Sequence, residues 1–166
     1  MKPVQTALMV VLVMSITGRW VAQAQPKPKM APQTQVMAPA ELKWVDGSPA
    51  MPPGTKVAVI EGDPKQRGPF TMRLKFPADY KVAPHWHPGV EHVTVLSGTG
   101  YFALGTTFDT AKGQALPPGS FVVIPPKTPH FAWGKEEVVV QLHGMGPWGI
   151  TYVNPADDPS KKLGQK

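Results

Sequence analysis

Three side chains able to bind a metal ion, His85, His87 and Glu91, fall within seven residues, and a fourth, His130, follows much later. The two histidines stand at i and i+2. Alternate residues of a β-strand share a face, so both imidazoles can reach one ion. Glu91 comes just after Pro88-Gly89, a turn signal at which the chain can reverse and bring a carboxylate back beside them. His130 follows the dense turn Pro125-Pro126-Lys127-Thr128-Pro129, where Pro129 fixes the backbone immediately before it. These four are the candidate metal ligands. Imidazole and carboxylate together suit one first-row divalent ion such as Fe, Mn, Ni, Cu or Zn. The chain has no cysteine, which argues against a structural zinc site. Scattered surface or core histidines are the bland alternative; two at i, i+2 with a nearby carboxylate argue against it.

The elements that must position these residues are short strands. β-rich runs are expected at 56–60, 70–76, 92–96, 101–104, 120–124, 130–133, 138–143 and 150–153. Turn signals separate them, notably Ser97-Gly98-Thr99-Gly100 and Pro117-Pro118-Gly119. No stretch of the core keeps a helical period over successive turns. Many short, evenly spaced strands predict an all-β sandwich or barrel.

The run His85-x-His87 followed by Glu91 and Gly98 resembles the first cupin motif, and Gly119, Pro125, Lys127 and His130 resemble the second. The resemblance implies a single-domain jelly-roll β-barrel with His85, His87, Glu91 and His130 facing its interior as metal ligands. It also implies a homodimer. Three positions depart from the motifs: Asp79 and Lys127 stand where glycine is usual, and Gly134 where asparagine is usual.

The strand ending in Gln141-Leu142-His143 carries the candidate catalytic residues. Gln141 and His143 share one face, opposite Val140 and Leu142, but three consecutive valines leave the facing open. With the polar face inward, both line the pocket and His143 can serve as a general base near neutral pH. The other reading is a strand-end histidine bonded to a backbone carbonyl. His92 and Trp86 are expected to point away from the ligands. Phe70, Met72, Leu74 and Phe76 alternate with polar residues and give one apolar face, either pocket wall or ordinary core. The Gly144–Gly149 loop lacks the lysine of a phosphate cradle and reads as a connection or pocket lip.

The ends differ from the middle. Residues 1–24 have the layout of a secretory signal: Lys2, an apolar run from Ala7 to Ile16, and Ala22-Gln23-Ala24 with cleavage after Ala24. That run is shorter than the roughly 20 residues needed to span a bilayer, so no membrane attachment is expected after cleavage. Residues 25–39, rich in Pro and Gln, read as a disordered spacer, 40–153 as the barrel domain, and 154–166 as a loose polar tail. Location is expected to be periplasmic or secreted. Between Ala40 and Pro155 ten Lys/Arg face nine Asp/Glu, a net charge of +1, so no basic footprint for nucleic acid exists there.

Three functions fit. The first is a metalloenzyme acting on a small organic molecule, with dioxygenase-like chemistry favoured and isomerase or lyase chemistry also within the resemblance. The second is a non-catalytic metal-dependent sensor or binding module. The third, a structural storage-type cupin, fits least, because such proteins often lose the ligands kept here.

Overall fold

Apolar and polar residues alternate along Phe70–Phe76 and Val138–His143, and these two segments become the paired centre of the larger sheet. In the computed structural model, which describes residues 34–162, eleven strands form two antiparallel sheets. The strands are β1 (Val45–Asp46), β2 (Lys56–Glu61), β3 (Gly68–Phe76), β4 (Lys81–Trp86), β5 (Glu91–Ser97), β6 (Gly100–Leu104), β7 (Gln114–Leu116), β8 (Phe121–Ile124), β9 (His130–Gly134), β10 (Val138–Gly146) and β11 (Thr151–Tyr152). The six-stranded sheet runs β1-β2-β3-β10-β5-β8 and the five-stranded sheet β11-β4-β9-β6-β7. The all-β jelly-roll expectation holds.

The inward faces are apolar. Phe70, Met72, Leu74 and Phe76 of β3 lie beside Val138, Val140 and Leu142 of β10, all of them buried. This settles the open facing of β10 and corrects the inward reading of Gln141 and His143. Those two lie on the outer face, in register with Arg73 and Thr71 of β3. The Gln141 amide oxygen accepts from Arg73 Nε at 3.2 Å. His143 stacks on His92, its cross-strand partner, with ring centroids 4.7 Å apart. The barrel takes the apolar row because burying it is favourable, whereas a buried amide would need partners that Arg73 supplies outside. His92 and Trp86 do point away from the ligands, as expected.

β1 and β7 lie outside the expected runs, and β4 is foreshadowed only by the i, i+2 histidines, of which His85 falls inside it and His87 just past its end. Pro84 disguises β4, since proline removes a ladder donor. The pairing of β4 with β9 shifts register between Val82 and His85, which absorbs the proline. Residues 1–24 and most of the 25–39 spacer lie outside the described residues. At the other end, the segment read as a loose tail carries a 3-10 turn at Pro155–Asp157 and a helical turn at Pro159–Lys162.

Gly98, kept from the first motif, has φ +71°, and a Cβ there would run into the Glu137 carbonyl oxygen. The two absent motif glycines are equally telling. Asp79 and Lys127 are the non-glycine residues with positive φ among the described residues, at 58° and 57°. The left-handed region costs a side-chain-bearing residue about 1–2 kcal/mol, less for Asp than for Lys. Glycine in its place adds about 0.4–1 kcal/mol of unfolded-state entropy. Lys127→Gly is therefore expected to stabilise the protein by up to about 1 kcal/mol in urea unfolding, with Asp79→Gly closer to neutral. A loss of stability in Lys127→Gly would rule this account out.

Candidate metal centre

His85 and His130 sit directly opposite each other where β4 pairs with β9. His87 is the first residue past β4, and Glu91 opens β5 in the other sheet. The four side chains thus gather from both sheets around the β4–β5 connection. All four residues are buried. One ligand atom from each of His85, His87 and His130 lies within 4.8 Å of the others. Glu91 borders this trio: its Oε2 is 3.3 Å from His87 Nε2 and 3.9 Å from His130 Nε2.

Each imidazole is pinned by its other nitrogen. Nδ1 of His85 is 2.7 Å from the Ala83 carbonyl oxygen, that of His87 2.8 Å from Gly149, and that of His130 2.9 Å from Thr128. A carbonyl only accepts, so each Nδ1 carries the proton and donates it. Every Nε2 is then left with a free lone pair, the tautomer that metal-bound histidine uses. The donor set therefore fits a divalent transition ion.

Electrostatics agree. Burial, then the neighbouring His130 and His87 charges, hold the His85 pKa well below its ordinary value against the Ala83 bond. Burial lowers His87 to about 4, opposed by the Gly149 bond, and also lowers His130. Burial pushes Glu91 up to about 8, partly offset by the indole N–H of Trp148. Burial thus favours the uncharged form of both partners in the 3.3 Å contact between Glu91 and His87.

Two supporting parts come from the Gly144–Gly149 loop, read from sequence only as a connection or lip. Gly149 supplies the carbonyl for His87. Trp148 donates its indole N–H to Glu91 Oε1 at 3.1 Å and stacks on the His87 ring at 5.0 Å. The proximity of a tryptophan to a glycine-rich lip was the available signal. Behind the ligands lies an apolar cavity, to whose wall Leu74 and Phe76 contribute while Phe70 and Met72 do not; Gln141 and His143 are likewise absent from it.

Solved structures share this fold. The polyketide cyclase RemF from Streptomyces resistomycificus is 14% identical, with a TM-score of 0.65 over 80% of this chain and 94% of that one. A protein from Methylibium petroleiphilum with a proposed acetylacetone dioxygenase activity is 17% identical, with a TM-score of 0.59 over 79% and 88%. An RmlC-like cupin from Shewanella frigidimarina is 12% identical, with a TM-score of 0.53 over 68% and 91%. Identities this low speak for fold alone. No curated protein matches the chain in sequence. The model of the ChrR cupin-like domain family matches residues 32–148, which span both motifs and every ligand candidate. With that match over most of its length, the chain belongs to the cupin superfamily, in the ChrR cupin-like domain family.

Proposed function

We propose that this protein holds one divalent transition ion through His85, His87, Glu91 and His130 and presents it to a small organic molecule, with oxygenase-type chemistry favoured. The observation that carries the reading is the convergence of three buried Nε2 lone pairs beside a carboxylate, at the edge of an apolar cavity. When bound, such an ion supplies Lewis-acid or oxygen-activating chemistry. The chain's own residues do the rest. Three carbonyls fix the tautomers, Trp148 holds Glu91, and the apolar walls limit access of water. Work in the periplasm or outside the cell, after cleavage behind Ala24, and a homodimeric state belong to the same proposal.

One observation favours the second reading, a metal-dependent binding module without catalysis. Among the described residues, no His, Asp, Glu or Lys other than the four ligand candidates lines the cavity. Oxygen uptake across a panel of diketones, flavonols and phenols separates the two. Uptake with at least one compound is expected, and it stops when the metal is chelated. A flat response to all of them, by a protein that carries its metal, selects the binding module.

Metal content tests the site itself. Elemental analysis of the purified protein is expected to find about one ion per chain. His87→Ala should weaken binding beyond the 10–100-fold typical of losing only a supporting hydrogen bond. Equal metal in both proteins removes the site.

Glu91 sets the pH dependence. Its carboxyl is protonated below about 8 and must lose that proton to ligate, while the imidazoles are already neutral at pH 7. Affinity should therefore rise with pH up to about 8 and then level off. At pH 7 each ion bound should release about one proton, measurable by calorimetry in buffers of different ionisation enthalpy. Uptake without proton release would exclude Glu91 as a ligand.

A further inference from the structure

The cavity behind the ligands has an unusual polar inventory. Among the described residues no Lys or Arg lines it, and neither does any Ser, Thr, Asn, Gln or Asp. A carboxylate or phosphate entering it would lose its hydration with no cation to replace it except at the metal end, at high cost. Outside the four ligand candidates, polar side-chain atoms belong only to Tyr80, Tyr101 and Trp148. Trp148 already donates to Glu91. The Tyr101 ring stacks on Trp133 at 5.3 Å, in the smaller cluster with Phe108 and Phe131.

Tyr80 is different. It is 6% exposed and lines the cavity, yet its hydroxyl has no hydrogen-bond partner among the described residues. The hydroxyl oxygen itself is not fully buried, the fully buried partnerless side-chain atom among the described residues being His92 Nδ1, so it is left open to water or a ligand. Its ring is held firmly, stacked on Phe76 at 4.5 Å. It also fills the space over Gly134, where a Cβ would sit 2.5 Å from Cε1. The hydroxyl lies at Gly100, where a Cβ would be 3.4 Å away. Gly134 donates its N–H to the Tyr80 carbonyl and pairs with Gly100, so all three sit at one level of the barrel. His130 is four residues away at the other end of β9, about 13 Å along the strand. The cavity thus carries ligand candidates at one end and the Tyr80 hydroxyl, without a protein partner, at the level of Gly100 and Gly134.

We propose that this cavity takes a neutral, largely apolar molecule with oxygen donors at the metal end and a hydrogen-bond acceptor at its far end, read by the Tyr80 hydroxyl. This rests on the metal-centred reading above. Tyr80 is the specificity-determining residue in it. Burial raises its pKa well above the ordinary value, which keeps the hydroxyl a donor.

Three catechols test this on the zinc-loaded protein, zinc being redox-inert. Ethylcatechol, acetylcatechol and protocatechuate carry an apolar, an acceptor and a carboxylate group at the same ring position. Calorimetry should show protocatechuate weakest with the native protein. Tyr80→Phe should weaken acetylcatechol roughly threefold to tenfold and leave ethylcatechol unchanged. Metal content and thermal midpoint of the variant should also be unchanged, since no protein hydrogen bond is lost. Equal effects on acetylcatechol and ethylcatechol, none on either, or tightest binding of protocatechuate would overturn the proposal while leaving the metal site intact. Failure of ethylcatechol to bind the native zinc protein would instead count against the metal-centred reading itself, and this proposal falls with it.

Discussion

Three backbone carbonyls, of Ala83, Thr128 and Gly149, are the constraint on which the rest depends. Three imidazoles buried within 4.2–5.2 Å of each other, centroid to centroid, cannot all be charged, and neutral imidazole has two tautomers. Each carbonyl selects one tautomer by accepting from Nδ1, so each Nε2 presents a lone pair. Two of the three use the same local device, a carbonyl two residues earlier in the chain. His85 reaches Ala83 beside the Pro84 irregularity, and His130 reaches Thr128 across Pro129. His87 lies past the end of β4 and has no such neighbour in use. Its carbonyl comes from the Gly144–Gly149 loop, and that loop also brings Trp148 to Glu91. The loop therefore serves two ligand candidates, one just past the end of β4 and one opening β5.

The ligand spacing and the barrel class were legible because both rest on local patterns. The i, i+2 histidines needed only the period of a strand, and the alternation in Phe70–Phe76 needed only one buried face. What was not legible depends on pairing between distant segments. β10 offers an apolar row and a row of Val139, Gln141 and His143, and three valines blur the choice between them. Placed beside β3, the choice is forced: Lys75, Arg73 and Thr71 are opposite those three residues, on a face that cannot be the core. No local rule announces that β3 and β10 are neighbours. Trp148 escaped for the same reason, since its partner Glu91 is 57 residues away in sequence. β4 escaped for another: Pro84 is a breaker to a local reading, and only the register shift between Val82 and His85 shows how the sheet accommodates it.

The inside and the outside of the barrel consequently do different work. Inside, burial of an apolar row stabilises the barrel and leaves the ligand candidates as the polar exception. Such a group of buried polar residues does not come from the hydrophobic effect and is retained against it. Outside, histidine recurs without that organisation. His92 and His143 stack face to face with an interplanar angle of 6°, and Phe121 lies alongside at 5.9 Å from His92. None of their nitrogens is pinned by a carbonyl in the way the inner three are. The same residue type supplies candidate ligands on the inside of the five-stranded sheet, at His85 and His130, and packs on the outside of the six-stranded sheet, at His92 and His143. The difference lies in the second-nitrogen hydrogen bonds, not in the count of histidines.

The three departures from the cupin motifs sit at positions of physical consequence. Glycine at 79 and 127 would supply a left-handed backbone at no steric cost, and here Asp79 and Lys127 adopt that backbone themselves. The turn is kept because its hydrogen bonds are needed: Lys127 donates its N–H to the His87 carbonyl at 2.8 Å, tying the proline turn that precedes His130 to the segment that carries His87. The third departure runs the other way. Asparagine at 134 would place a side chain where the Tyr80 ring now lies, and glycine leaves that space to the tyrosine. Lys127 thus preserves the geometry of the ligand end, whereas Gly134 changes the surface of the opposite end. A barrel whose metal end is fixed by backbone hydrogen bonds can vary its far wall freely. In this chain that variation puts the Tyr80 ring where an asparagine side chain would begin.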